Sequence, residues 1–173
     1  MSVLVAAASK HGGTQEIAER IGADLSERGF EVEVKRLQEV DELVGYEAFV
    51  LGSAIYLGNW LKDARRFVYA HAGELAERPT WLFASGSITG DPPVADDPNA
   101  IGATLVEELR ETTHAREHKL FAGKLDKSKL GFTEKTAVRM ARGREGDHRD
   151  WRAIDDWAGA IAQELAATRT GIA

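Results

Sequence analysis

The chain has 173 residues, a net charge of −6 and no cysteine, with 43% hydrophobic and 29% charged residues. This is the balance of a folded protein rather than a disordered one, and at this length folding buries roughly 70% of the unfolded surface. Without cysteine there are no disulfides, no thiolate chemistry and no cysteine-held zinc or iron–sulfur cluster, which fits a reducing cytoplasm. The acidic balance argues against nucleic acid as a partner.

Val3 to Ala8 is a continuous apolar run, as expected of a strand covered on both faces. It is short and lacks a basic leader, so it reads as a strand and not as a signal peptide. No stretch approaches the length needed to span a bilayer. Thr14 to Arg28 reads as a helix with Ile17, Ile21 and Leu25 on one face, ended by Gly29. Phe30 to Lys35 alternates with period two, the pattern of a strand near a sheet edge, and Asp41 to Val44 suits a short helical turn. Ala48 to Gly52 is a third strand, followed by a helix over Leu61–Ala76 with Leu61, Ala64, Phe67, Val68, His71 and Leu75 inward.

Pro79 precedes a fourth strand, Thr80 to Ala84, which ends in Ser85-Gly86-Ser87. Gly90 to Asn99 holds three of the four prolines and three aspartates, so it reads as a loop. Ala100 to Thr112 is helical, and His118 to Ala122 is a fifth strand. Between Gly123 and Arg149 there are eight Lys/Arg and four Asp/Glu, a local charge of +4, with a helix expected over Thr133–Arg142. This segment either docks an acidic partner or an anionic membrane face, or is a solvated extension. Asp150 is placed to cap a last helix whose apolar stripe is Trp151, Ile154, Ala158, Ile161 and Leu165.

Five strands separated by helices imply an α/β, three-layer, doubly wound parallel sheet forming one domain over 1–173, with an inserted basic segment at about 123–149. Ligands of such sheets bind beyond the carboxyl ends of the strands. Three ends stand out. Ser9-Lys10-His11-Gly12-Gly13-Thr14 combines hydroxyls and glycines at a helix start, which suits a phosphate; its simpler reading is a strand–helix turn with Thr14 as N-cap. Lys10 and His11 either neutralise that charge or are plain loop side chains. The P-loop lysine and the dinucleotide G-x-G-x-x-G pattern are both missing. At the second end, Tyr56 and Trp60 either cover a planar ring or pack on the following helix. The third end, Ser85 to Thr89, offers backbone groups with little bulk.

Together these ends resemble the flavodoxin family. Ser9, Gly12 and Thr14 match its phosphate loop, written S/T-x-T-G-x-T, with His11 in place of the usual threonine and Gly13 where asparagine is common. Within that family the chain resembles the branch that includes menaquinone-dependent protoporphyrinogen oxidase, through Ser53-Ala-Ile with Gly58, Phe121-Ala-Gly, the insertion after the fifth strand, and Asp150-Trp151. The insertion is basic like that oxidase's but carries Phe132 as its only aromatic residue.

The resemblance implies sheet order 2-1-3-4-5 and bound FMN. It assigns cofactor contacts to Ser9 through Thr14, to Ser53, Ala54, Ile55, Tyr56, Gly58 and Trp60, and to Ser85, Gly86, Ser87 and Ile88. It also implies electron exchange with a redox partner protein, a quinone or another small molecule, in a monomer or dimer. Gly58, or the peptide between Ile55 and Tyr56, is the expected redox-linked hydrogen-bonding point. No side chain stands out as a general acid or base, and His71, His114, His118 and His148 lack metal-ligand spacing. Two other classes compete. A receiver-like domain would need an acidic cluster after the first strand, and a cofactor-free flavodoxin-like module would bind only a partner.

Overall fold

A computed structural model describes residues 1–56, 59–87, 103–126, 128, 131, 135 and 145–171. Strand β1 (Ser2–Ala8) runs into α1 (Gly13–Glu27), then β2 (Glu31–Arg36), a 3-10 turn (Leu37–Glu39) and β3 (Ala48–Tyr56). A short β4 (Asn59–Trp60) leads to α2 (Lys62–Ala70), α3 (Ala72–Ala76) and β5 (Thr80–Ser87). Helix α4 (Ala103–Thr113), β6 (Glu117–Ala122), the pair β7 (Lys124–Leu125) and β8 (Gly146–Asp147), and α5 (Trp151–Arg169) follow. The expected loop Gly90–Asn99, the positions Gly58, Ile88 and Thr89, and nearly all of the expected helix Thr133–Arg142 lie outside the described residues.

The main strands stand in the order β2-β1-β3-β5-β6, all parallel. Leaving aside the two-residue β4, which pairs back antiparallel on β3, this is the expected 2-1-3-4-5 arrangement. The apolar run of β1 explains its central place. Val3, Val5 and Ala7 face a cluster with Ile17, Ile21 and Leu25 of α1 and Trp157 and Ile161 of α5. Leu4, Ala6 and Ala8 face the opposite cluster, with Ala64, Val68, Leu75 and Leu109 from α2, α3 and α4. Alternate side chains point to opposite faces, so only a strand apolar at every position serves two cores at once. Each fully buried branched residue contributes about 1.5–3 kcal/mol.

Several boundaries differ from the sequence expectation. The helical turn falls at Leu37–Glu39 rather than Asp41–Val44; Leu37, Val40 and Leu43 are buried along this stretch, while Val44 is 75% exposed. The expected helix Leu61–Ala76 is two helices broken at His71, whose backbone has φ −108° and ψ 15°. The His71 ring lies 4.6 Å from Phe67, and its Nδ1 meets Glu74 Oε1 at 3.0 Å, so local contacts hold the break.

Asp150 caps α5, accepting from the Ala153 amide at 3.0 Å. The inward tryptophan of that helix is Trp157 and not Trp151. Trp157 joins Phe83 and Phe121 in an edge-packed aromatic group and donates from Nε1 to Glu117 at 2.6 Å. Trp151, at the first position of α5, lies beside the start of α1, where the Arg149 guanidinium covers its ring at 4.4 Å. Among the described residues no helix is long and apolar enough to cross a membrane.

Candidate functional site

The registers Ala8↔Ser53 and Ala54↔Ser85 put the ends of β1, β3 and β5 on neighbouring strands at the same edge of the sheet. Three separate stretches of sequence thereby become one surface, with α1 starting from its first corner.

At that corner the chain turns at Gly12, which has φ +90° and precedes the helix as its N-cap. Alanine strains this backbone, whereas glycine adopts it freely. Ser9 Oγ accepts from the amides of Gly12 at 3.0 Å and Thr14 at 3.3 Å, so a side chain from the strand end curls the loop. Its hydroxyl hydrogen is left to donate elsewhere. The cap expected at Thr14 is therefore replaced by Gly12. Thr14 is the second helical residue and is 2% exposed, and its amide is held by Ser9.

The loop suits a phosphate by its donor set. It stands at the N-terminus of a 15-residue helix, and no acidic side chain occurs from Ser9 to Gln15. No described atom comes within 4 Å of where a Gly12 Cβ would stand. Peptide dipoles and unpaired amides at such an end favour an anion. Gln15 Oε1 is buried without a hydrogen-bond donor among the described residues, so a polar atom beside the loop is left to be satisfied.

The second end divides by burial. Ser53 is fully buried and its Oγ is committed to the protein, accepting from Leu61 N at 3.0 Å and donating to the Ala54 carbonyl at 2.9 Å. Its side chain ties the β3 end to the start of α2 and does not face outward. Trp60, for which packing and ring contact were both open, is 2% exposed within the core on the α2 side, its ring 5.9 Å from that of His118. Packing wins because β4 turns back on β3 and directs the indole beneath the sheet edge. Tyr56 is 37% exposed, with the Lys10 ammonium 4.6 Å from its ring centroid. Ala54 and Ile55 are half-buried. At the third end Ser85 is buried, and a Cβ on Gly86 would come 2.6 Å from that of Ile55. Glycine lets the ends of β3 and β5 close together.

One group went unseen in the sequence. The Arg149 side chain is 2% exposed and reaches the start of α1, where Nη1 donates to the Gly13 carbonyl at 3.0 Å and Nη2 meets Glu16 at 2.7 Å. Nε and Nη2 hold Asp147 in a fork at 2.7 and 2.5 Å. Lys124 approaches Glu16 at 3.5 Å. The base of the inserted segment is therefore packed against the start of α1. Hydrogen bonds from Arg149 hold Asp147 below the usual carboxylate range. Burial pushes Glu16 up, but bonds and charge from Arg149, with Lys124, outweigh it and lower it. The sequence clue was Arg149 itself, next to the cap Asp150. A contact spanning 136 positions carries no local pattern. Among the described residues no cluster of His, Asp and Glu is arranged to hold a metal.

Comparison with known proteins agrees with this layout. The chain is 26% identical over 94 residues to the protoporphyrinogen IX dehydrogenase [quinone] of Escherichia coli strain K12, covering 53% of this chain and 52% of that one. It thus spans about half the length of the curated relatives it matches. A flavodoxin from the domain Archaea superposes with a TM-score of 0.64 at 16% identity, over 96% of this chain and 99% of the other. Flavodoxin 2 from Bacillus cereus gives 0.62 at 21% identity, over 95% and 99%. Residues 4–151 match the family described as flavodoxin domain. With that match over most of its length, and with the sheet order and loop that accompany it, the chain belongs to the flavodoxin domain family, whose cofactor is FMN.

Proposed function

We propose that Ser9 to Thr14 hold the phosphate of FMN, and that Ala54, Ile55, Tyr56 and Gly86 border its ring. Bound FMN supplies reversible electron transfer from its ring system. The protein's part is to bind, orient and shield. Ser9 and Thr14 offer hydroxyls, the α1 amides and dipole attract the anion, and Lys10 contributes positive charge beside Tyr56. Tyr56, the exposed aromatic at the β3 end, covers the ring and limits water there. The observation that carries this reading is the convergence of three strand ends around a loop that has donors, a glycine at positive φ and no acid.

A second reading concerns the acceptor. The match to a quinone-linked dehydrogenase favours a two-electron oxidoreductase that delivers electrons to a quinone, over a carrier that meets only proteins.

Purification and a visible spectrum, with chromatography of the released cofactor, test the first reading. A yellow protein that releases FMN supports it; a colourless protein that takes up no added FMN refutes it. Anaerobic titration with dithionite, followed by reoxidation with menadione, tests the second. Reduction in a single two-electron step and fast reoxidation by the quinone support it, whereas a stable one-electron form and slow reoxidation favour the carrier.

A further inference from the structure

We propose that Arg149 is a positioning residue for the phosphate loop, holding the base of the inserted segment and the first turn of α1 as one unit so that the loop is already shaped when FMN arrives. This rests on the FMN reading given above. The guanidinium makes contact with three partners from two distant parts of the chain. It donates to the Gly13 carbonyl at 3.0 Å, meets Glu16 at 2.7 Å, and forms the fork with Asp147 of β8. Its backbone amide also donates to Asp147 at 3.2 Å, and its face lies on Trp151. A planar fork held on several sides keeps its partners in one relative orientation, which a lysine's single ammonium cannot do.

The carbonyl it takes belongs to the first residue of α1, immediately after Gly12. Any slip of the segment's base is thus passed to the turn that presents the loop amides. Charge points the same way. Glu16, in the first turn of α1, is the acidic side chain closest in sequence to the loop, and it would repel a phosphate. Arg149 and Lys124 stand against Glu16 and Asp147, two positive groups against two negative, so the cluster is neutral beside the loop. Removing the guanidinium leaves it one charge negative and frees Gly13 from its outside partner.

The test compares wild type, R149K and R149M for affinity towards FMN and towards riboflavin, which has the same ring and no phosphate. The expected result is that R149M weakens FMN tenfold or more while riboflavin changes less than twofold. R149K, which keeps the charge but loses the fork, should sit nearer R149M than wild type. In the flavin-free proteins, hydrogen exchange at the amides of Gly12 to Glu16 should speed up in both variants. Equal losses for the two flavins, or a wild-type FMN affinity and exchange rate in R149K, would overturn the assignment while leaving FMN binding intact. A wild type that binds neither flavin overturns the FMN reading itself and this assignment with it.

Discussion

Gly12→Ala tests the shape of the phosphate loop directly. Gly12 has φ +90° and ψ −18°, a region that a residue with a Cβ rarely enters. No described atom comes within 4 Å of the new Cβ, so the cost is carried by the backbone and not by a clash. Such strain costs on the order of 1–3 kcal/mol. At this chain length that corresponds to a fall in Tm of about 2–12 °C, at roughly 2–4 °C per kcal/mol. The protein can also relieve the strain by rotating Gly12 away, which disturbs the two amides now held on Ser9 Oγ. Losing one hydrogen bond to a charged phosphate costs about 1.5–3 kcal/mol, or roughly ten- to hundredfold in Kd. Thermal unfolding of the flavin-free protein measures the first effect, and quenching of FMN fluorescence measures the second. An unchanged Tm together with an unchanged Kd would refute the claim that the loop needs its positive φ.

Ser53→Ala should lower stability by about 0.5–1.5 kcal/mol, because the partly buried Leu61 amide loses its acceptor. The visible spectrum of bound flavin should stay as in wild type; a shifted spectrum would return Ser53 to the flavin surface. Gly86→Ala should force Ile55 to move, since the new Cβ falls 2.6 Å from that of Ile55. The cost is about 1–3 kcal/mol with weaker binding of FMN and riboflavin alike, and a selective loss of FMN would contradict a role at the ring. Acid should loosen the Arg149 cluster. Asp147 and Glu16 are lowered in the folded protein, so their contribution is present above the ordinary carboxylate range and is lost as pH falls through their lowered values. Among the described residues the charged groups facing them are Arg149 and Lys124. Thermal unfolding should therefore place wild type above D147N at neutral pH, with the gap closing in acid; a gap independent of pH would refute the linkage.

What the sequence determined by itself is local. The apolar run of β1, the period-two β2, the 3.6-residue stripe Ile17-Ile21-Leu25 and the cap at Asp150 are each set by neighbours a few positions away. These patterns were enough to identify the alternating α/β order and the junction at Ser9, since a buried strand that turns straight into a helix needs glycine and a hydroxyl cap. What depends on distant contacts was not legible. Trp157 rather than Trp151 enters the core because Phe83 and Phe121 leave room for its ring. Ser53 and Trp60 turn inward because β4 folds back on β3. Arg149 read as one more cation of a basic segment. Only the tertiary structure, by bringing β8 against the start of α1, turned it into a buried partner of the phosphate loop, because a buried guanidinium is stable only where distant oxygens converge on it.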